Sequence, residues 1–434
     1  MTGNENTLDL YLGVNNLIGN LTLRDDQLFW QYNEQWQQSG FALSPHLPLD
    51  NNIPPVNVQR FVRNLLPEGN GLDELVAHLG HLSKNNTFGI VRALGMDTPG
   101  ALTILPSGQT YPSDANFIAI SNQELEQRLN TRNEFGLIIW QGKPRLSVAG
   151  VQDKINVVVN NEDQLGFGDG NLCSTHILKF EKQKLSHLVL NEHLTLQLAR
   201  ECGLTVNNAK LFRFGAHPAL LVERFDRKHL PTNEVQRRAV IDGCQALNLS
   251  PDYKHEQNVG NGRDVAHIRD GASFQKLFAF ADRCENPIAT KLQILDWALF
   301  NLLVFNYDAH GKNISFFVGP KGISLTPFYD LVNIKMYPEF EQEMAMGFGD
   351  EFNSAHIKAY QLADFADTCQ LARPIVRRRL NFIANKLIVA LQKYANPDIY
   401  NDEEKKYIEQ YCSYVLEHCE NLLSHANSIL SISL

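Results

Sequence analysis

The apolar periodicity of this chain changes character part-way along, and that change limits the folds open to it. Up to about residue 228, short runs that alternate apolar and polar residues are interleaved with helical runs. From Phe274 onward almost every periodic segment has the three- and four-residue spacing of a helix. The expected class is therefore α+β, with a strand-rich N-terminal region and an all-helical C-terminal lobe. At 434 residues the chain is long enough for two or three domains. The pattern divides it into 1–110, a small α+β region; 111–228, a strand-rich lobe; and 229–434, a helical lobe.

In the first region, LYLGVNNLIGNLTL and QLFWQYNEQW alternate with period two and are broken by Asn15, Asn16 and Gly19. VQRFVRNLLPEG and GLDELVAHLGHL turn helical, and GALTILP closes the region as a strand. In the second, RLSVAGVQDKINVVVNNEDQLGFGDG reads as two strands with a small-residue turn at Ala149 and Gly150. THILKF follows as a strand that carries Lys179 centrally, which is unfavourable unless the ammonium meets an anion or solvent. A helix bearing Glu192 and the strands AKLFRFG and PALLVERFDR complete this lobe. Turn, strand, lysine strand, glutamate helix and two further strands is the order of a kinase N-lobe.

The stretch Phe305 to Val332, FNYDAHGKNISFFVGPKGISLTPFYDLV, is the chemical centre of the third region. The apolar helix before it is expected to deliver Asp308 at its C-terminal end. NISFFV and ISLTPF are expected to form a hairpin that returns Asn313 and Asp330 to one neighbourhood. Phosphoryl transfer needs a carboxylate to take or orient the acceptor hydroxyl, and an Asn and a second carboxylate to hold Mg²⁺ against the phosphates. Asp308, Asn313 and Asp330 are of the types required. Taken alone, an Asp after an apolar helix is as well explained by a turn. The presence upstream of Lys179 and Glu192, in the order the chemistry needs, favours the functional reading. His310 and Lys312 share the loop: one supports the backbone or faces water, the other touches a γ-phosphate or faces water. Gly311 is expected to supply a tight turn through positive φ. The turn Ala149, Gly150, Val151, Gln152, Asp153 and Lys154 is either an ordinary β-turn or a phosphate-covering loop. Glu223 to Phe225 is either an edge strand or an adenine-contacting hinge.

Composition excludes several other classes. A net charge of −9 argues against a surface given over to nucleic acid, although Arg377 to Arg379 could be a local DNA contact or a solvated helix face. The seven cysteines form no CxxC pair and have no His at metal spacing, so neither a disulfide framework nor a zinc site is expected. No apolar run reaches the length of a membrane span, and MTGNENTLDL lacks a signal-peptide layout, so the expected address is the cytoplasm with no membrane partner.

Several motifs together resemble the HipA family of bacterial serine/threonine kinases, the toxin halves of HipBA toxin–antitoxin pairs. They are NLLPEG with FGIVRALGMDTPGALTILP, RLSVAGVQDK, THILKF, LVERFDR, DAHGKN and LTPFYD, and the resemblance spans essentially the whole length. It implies a two-lobed protein-kinase-like fold using ATP and Mg²⁺. Asp308 would be the catalytic base, and Asn313 and Asp330 the Mg²⁺ ligands. The nucleotide would be bound by Ala149 to Lys154, Lys179, the hinge Glu223, Arg224 and Phe225, and by His310, Lys312, Asn313, Tyr329 and Asp330. Ser147 would be an autophosphorylation site whose added charge repels ATP. The implied partners are a small helix-turn-helix antitoxin docked on residues 1–110, dimeric and giving a heterotetramer, and operator DNA reached through that complex. The implied acceptor is a translation-related protein such as glutamyl-tRNA synthetase. The catalytic loop reads D-A-H-G-K-N where the family commonly has D-G-H-A-K-N, and YKHE departs from the usual order near Tyr253. A small-molecule kinase on the same scaffold, or a co-repressor without catalysis, would be the alternatives.

Overall fold

The computed structural model describes residues 5–13, 15–80, 82–145, 152–182, 185–229, 235–394 and 400–433. The chain forms two compact units. One comprises Met1–Gln183, Asn208–Ile241 and Phe316–Gly322, and the other Lys184–Asn207, Asp242–Ser315 and Ile323–Leu434.

The first unit holds both large sheets. Thr7–Leu12, Leu17–Arg24, Gln27–Tyr32 and Leu102–Pro106 form a four-stranded antiparallel sheet with Thr7–Leu12 and Leu17–Arg24 in the middle. Helices Pro55–Arg63, Gly69–Leu79 and Thr87–Leu94 lie in the sequence between its third strand and Leu102–Pro106. Pro55 opens its helix at a first-turn position, where the missing N–H costs nothing. The second sheet has six strands in the order Ala209–Phe214, His217–Glu223, His176–Phe180, Lys154–Val159, Leu165–Gly170, Ala115–Ala119. Its core face is built by period-two alternation: Ile155, Val157, Leu178, Phe180 and Leu221 enter one apolar cluster with Phe167 and Phe214. Each such side chain stabilises the fold by roughly 1.5–3 kcal/mol. Register then fixes the other face. Leu178 lies opposite Ile155, so Lys179 lies opposite Lys154.

A buried ionic network closes the same unit. Arg224 donates to Asp226 through Nε and Nη2 at 3.0 and 2.8 Å and to Ser174 at 2.7 Å. Arg227 reaches Asp226 at 2.8 Å and Asp97 at 2.9 Å. Arg237 donates to the carbonyls of Met96, Thr98, Gly100 and Leu102. Burial, then the neighbouring Arg227, pushes the Arg237 guanidinium down to about 10. Burial acts to raise the Asp226 carboxyl, but Arg224 and Arg227 outweigh it and hold it far below the usual range. The side chain of Arg224, expected at the nucleotide hinge, is instead committed to this network.

The second unit is helical apart from strand residues at its borders and short 3₁₀ turns. Its main helices are Leu188–Glu201, Phe274–Ala281, Pro287–Leu303, Ala359–Thr368, Arg373–Tyr394 and Asp402–Ala426. Trp297, Phe300 and Leu303 are wholly buried. Helix Pro287–Leu303 does not run to Asp308, as the apolar periodicity had suggested. It stops at Leu303, and Phe305 turns the chain with a left-handed φ of 57°. The ring of Phe305 stacks on His418 with centroids 4.4 Å apart, so the helix Asp402–Ala426 supports the entry to the loop that bears Asp308.

Burial first, and then Lys335, lowers the His418 ring to about 4. The folded ring stays neutral where the unfolded one takes a proton, so its contribution is complete above pH 6.5 and drains as pH falls toward 4. Urea unfolding should show about 3 kcal/mol less stability at pH 4 than at pH 6.5 from this source. His418→Gln should remove that component, and an unchanged pH slope in the variant would refute the assignment. Among the described residues no helix is long and apolar enough to cross a membrane.

Candidate active site

The first unit presents a pair of lysines. Lys154 and Lys179 face each other across adjacent antiparallel strands and are 5 % and 4 % exposed. Like charges directly opposite one another destabilise a sheet, and burial adds to the cost. Such a pair is suited to a polyanion. The chain entering it is held by one backbone and one side-chain hydrogen bond: Phe180 N donates to Asp153 O at 2.8 Å, and Gln152 Nε2 donates to Phe180 O at 3.3 Å. Burial raises the Asp153 carboxyl against the pull of Arg132. Ser147, Ala149, Gly150 and Val151 lie outside the described residues. At the expected hinge, Glu223 ends its strand and takes the Asn208 side-chain amide at 2.9 Å. Phe225 packs edge-on against Phe317.

The second unit gathers the loop residues. Asn313 Nδ2 donates to Asp308 O at 2.7 Å, and the backbone amides of His310 and Asn313 close on Asp308 O and His310 O at 2.8 and 2.9 Å. These bonds hold acid and amide side by side, with the Asp308 carboxylate 55 % exposed and Asn313 buried. With its NH₂ turned to the backbone, Asn313 keeps its carbonyl oxygen for another partner. That oxygen and the Asp330 carboxylate are the donors a hard cation such as Mg²⁺ takes. Asp330 is held at a left-handed φ of 52°, a conformation that a non-glycine residue adopts at a cost and that recurs at functional positions. Tyr329 O–H donates to Lys312 O at 2.8 Å and lies 2.6 Å from Ser315 Oγ, tying the segment after the hairpin to the loop. Burial drives its phenol well above the usual value. His310 is buried and its ring is lowered well below the ordinary value, by burial first and then by Lys254, so the imidazole is neutral.

Several features of the site and its surroundings were not read from sequence. Lys312 Nζ, considered for a γ-phosphate, makes a 2.6 Å buried ion pair with Asp242. Asp242 also caps helix Gly243–Ala246 through a capping box with Gln245, and the signal D-G-C-Q was present in the sequence. Gly311 does not have positive φ, and neither does Ala309, so exchanging the two small residues introduces no strained backbone. Gly311 is needed for space: a Cβ there would lie 2.6 Å from Ala272 Cβ and 3.0 Å from Cys244 Sγ. Glu192 is fully buried in helix Leu188–Glu201. Of the basic run, Arg379 pairs with Asp296 at 2.6 and 2.7 Å, which leaves that guanidinium committed within the unit.

A unit built on antiparallel sheets with paired lysines and a helical unit with an acid–amide loop followed by an aspartate are the features of a protein-kinase-like phosphotransferase. Residues 8–105 match the HipA N-terminal domain and residues 146–393 the HipA-like C-terminal domain. The chain is 47% identical over 388 residues to the serine/threonine-protein kinase toxin HipA of Shewanella oneidensis, covering 89% of this chain and 88% of that one. It superposes with a TM-score of 0.90 on a solved chain from the Shewanella oneidensis complex of HipA, HipB and operator DNA, at 43% identity, over 98% of this chain and 100% of the other. The chain belongs to the HipA family of serine/threonine-protein kinases.

Proposed function

We propose that the protein is the toxin of a toxin–antitoxin pair, an ATP- and Mg²⁺-dependent kinase in which Asp308 orients and deprotonates the acceptor hydroxyl. The observation that carries this reading is the loop in which Asn313 bonds to the carbonyl of Asp308, because it places a carboxylate and a cation-binding amide together. Asn313 and Asp330 hold the metal, which when bound neutralises charge on the phosphates. Lys154 and Lys179 receive phosphate oxygens. Ala149 to Asp153 contribute to nucleotide binding, and the segment Glu223 to Phe225 contacts adenine. His310, Lys312 and Tyr329 keep the loop in shape.

The HipA–HipB–operator complex that this chain resembles supports two further parts of the reading. A small DNA-binding antitoxin docks on residues 1–110, and the pair occupies operator DNA. The acceptor is a protein of the translation apparatus in the cytoplasm, with glutamyl-tRNA synthetase implied by the family resemblance. Ser147 is the site of self-modification, where about two negative charges repel incoming nucleotide.

Incubated with Mg²⁺ and γ-labelled ATP, the purified protein should label itself on Ser147, read by peptide mass spectrometry, and Ser147→Ala should take no label at that position. Wild type that transfers no label to itself or to any protein in a cell lysate would overturn the kinase reading. Label on another residue would overturn the role of Ser147 alone.

A further inference from the structure

We propose that His255, Asp308 and His310 form a binding site for a borderline transition-metal ion of the Zn²⁺ type, and that its occupancy takes Asp308 out of the reaction. The inhibitory half rests on the reading of Asp308 as the base; the binding half does not.

All three residues lie in the second unit, and their donor atoms are within 4.8 Å of one another. His310 Nε2 is 3.7 Å from Asp308 Oδ1. Ligands bonded to one ion at about 2.0–2.2 Å sit roughly 3.3–3.5 Å apart, so small side-chain rotations close the set. The His255 and His310 rings are 5.3 Å apart and tilted by 41°, so they are not stacked face to face. The backbone beneath them is already fixed. Gly311 N donates to Lys254 O at 2.9 Å, joining the two segments beside their histidines. Glu256 is anchored by Arg269 and by the Gly347 amide at 2.9 Å, and Gly271 packs where a Cβ would strike the His255 carbonyl. The half-exposed Asp308 carboxylate provides an entry path.

Two imidazoles and one carboxylate with positions left for water is a donor set that selects Zn²⁺ and its neighbours over Mg²⁺. The surrounding charge sharpens that choice. Lys254 and Lys312 both act on His310, although Lys312 is paired with Asp242. An ion held by charge alone is disfavoured beside them, whereas one that bonds to nitrogen lone pairs gains what the hard ion lacks. His310 Nδ1 accepts the Lys312 amide at 3.3 Å. Ligation through Nε2 moves the ring proton to Nδ1 and gives up this long hydrogen bond, a cost that the metal–nitrogen bond exceeds. The site differs from the Asn313 and Asp330 oxygen pair in ligands and in preferred metal.

The test uses the full chain, freed of metal by chelator and held in excess MgCl₂ without nucleotide. Calorimetry with ZnCl₂ should give a site that His255→Ala weakens at least about tenfold, a loss in line with removing one ligand. Co²⁺ should give a visible absorption band that the variant lacks. With ATP and buffered free Zn²⁺, wild type should be inhibited, while His255→Ala keeps its basal turnover and needs about tenfold more Zn²⁺. His255→Asn, with a thermal melt matching wild type, guards against misfolding. Equal Zn²⁺ titrations of wild type and both His255 variants would overturn the site. Undiminished transfer by Asp308→Asn in metal-free Mg²⁺ buffer would overturn the base, and with it the inhibitory half, while the affinity comparison judges the site by itself.

Discussion

Asp308→Asn should lower the rate of phosphoryl transfer by about 10²–10⁴-fold, the usual worth of a positioned general base. The substitution is nearly isosteric, and the bonds that shape the loop use the backbone carbonyl of Asp308, which accepts from Asn313 Nδ2 and the His310 amide. Loop and fold should therefore survive, and the melting temperature should stay within a degree or two. Turnover of γ-labelled ATP with a protein acceptor is the measurement. A variant retaining a tenth or more of wild-type rate would remove Asp308 from the mechanism.

Asp226→Asn should cost about 3–5 kcal/mol of unfolding free energy, the range for breaking a buried ion pair from one side. The carboxylate receives Arg224, Arg227 and the Gly100 amide, the last at 2.7 Å. Without its charge, Arg224, Arg227 and Arg237 stay buried with Asp97 as the remaining carboxylate of the network. The pH dependence has a definite sign. Because the folded carboxyl lies below its ordinary value of 3.8, its contribution is complete above that pH and is lost as pH falls through the folded value. The variant should lack that acid-side loss. Urea unfolding at neutral pH and at pH 3 tests both statements, and a cost below 1 kcal/mol at neutral pH would refute the first.

Features carried by local pattern were legible in the sequence. Alternation located the strands, Lys179 drew attention because a cation in mid-strand needs a reason, and the spacing of Asp308, Asn313 and Asp330 suggested one site. What escaped depends on partners far away in the chain. Lys154 was read as part of the phosphate-covering turn, but its pairing with Lys179 comes from register, which alternation in either strand alone does not specify. Asp242 lies 70 positions from Lys312, and His255 gains its interest from His310 across the same unit. The role of the Arg224 side chain escaped because its partners Ser174 and Asp226 lie in a buried network that the hinge motif alone does not reveal. The exchanged Ala309 and Gly311 illustrate a different limit: glycine was read as a backbone need, whereas the neighbours Ala272 and Cys244 make it a need for room.

That crowding extends to a second glycine. A Cβ at Gly243 would lie 2.5 Å from the carbonyl oxygen of Gly311, and Gly243 N donates to Ile314 O at 2.8 Å. The two glycines, distant in sequence, pack against one another in this chain. A methyl added at Gly243 would press the Asp242–Leu247 turn away from the loop, and with it the carboxylate that holds Lys312.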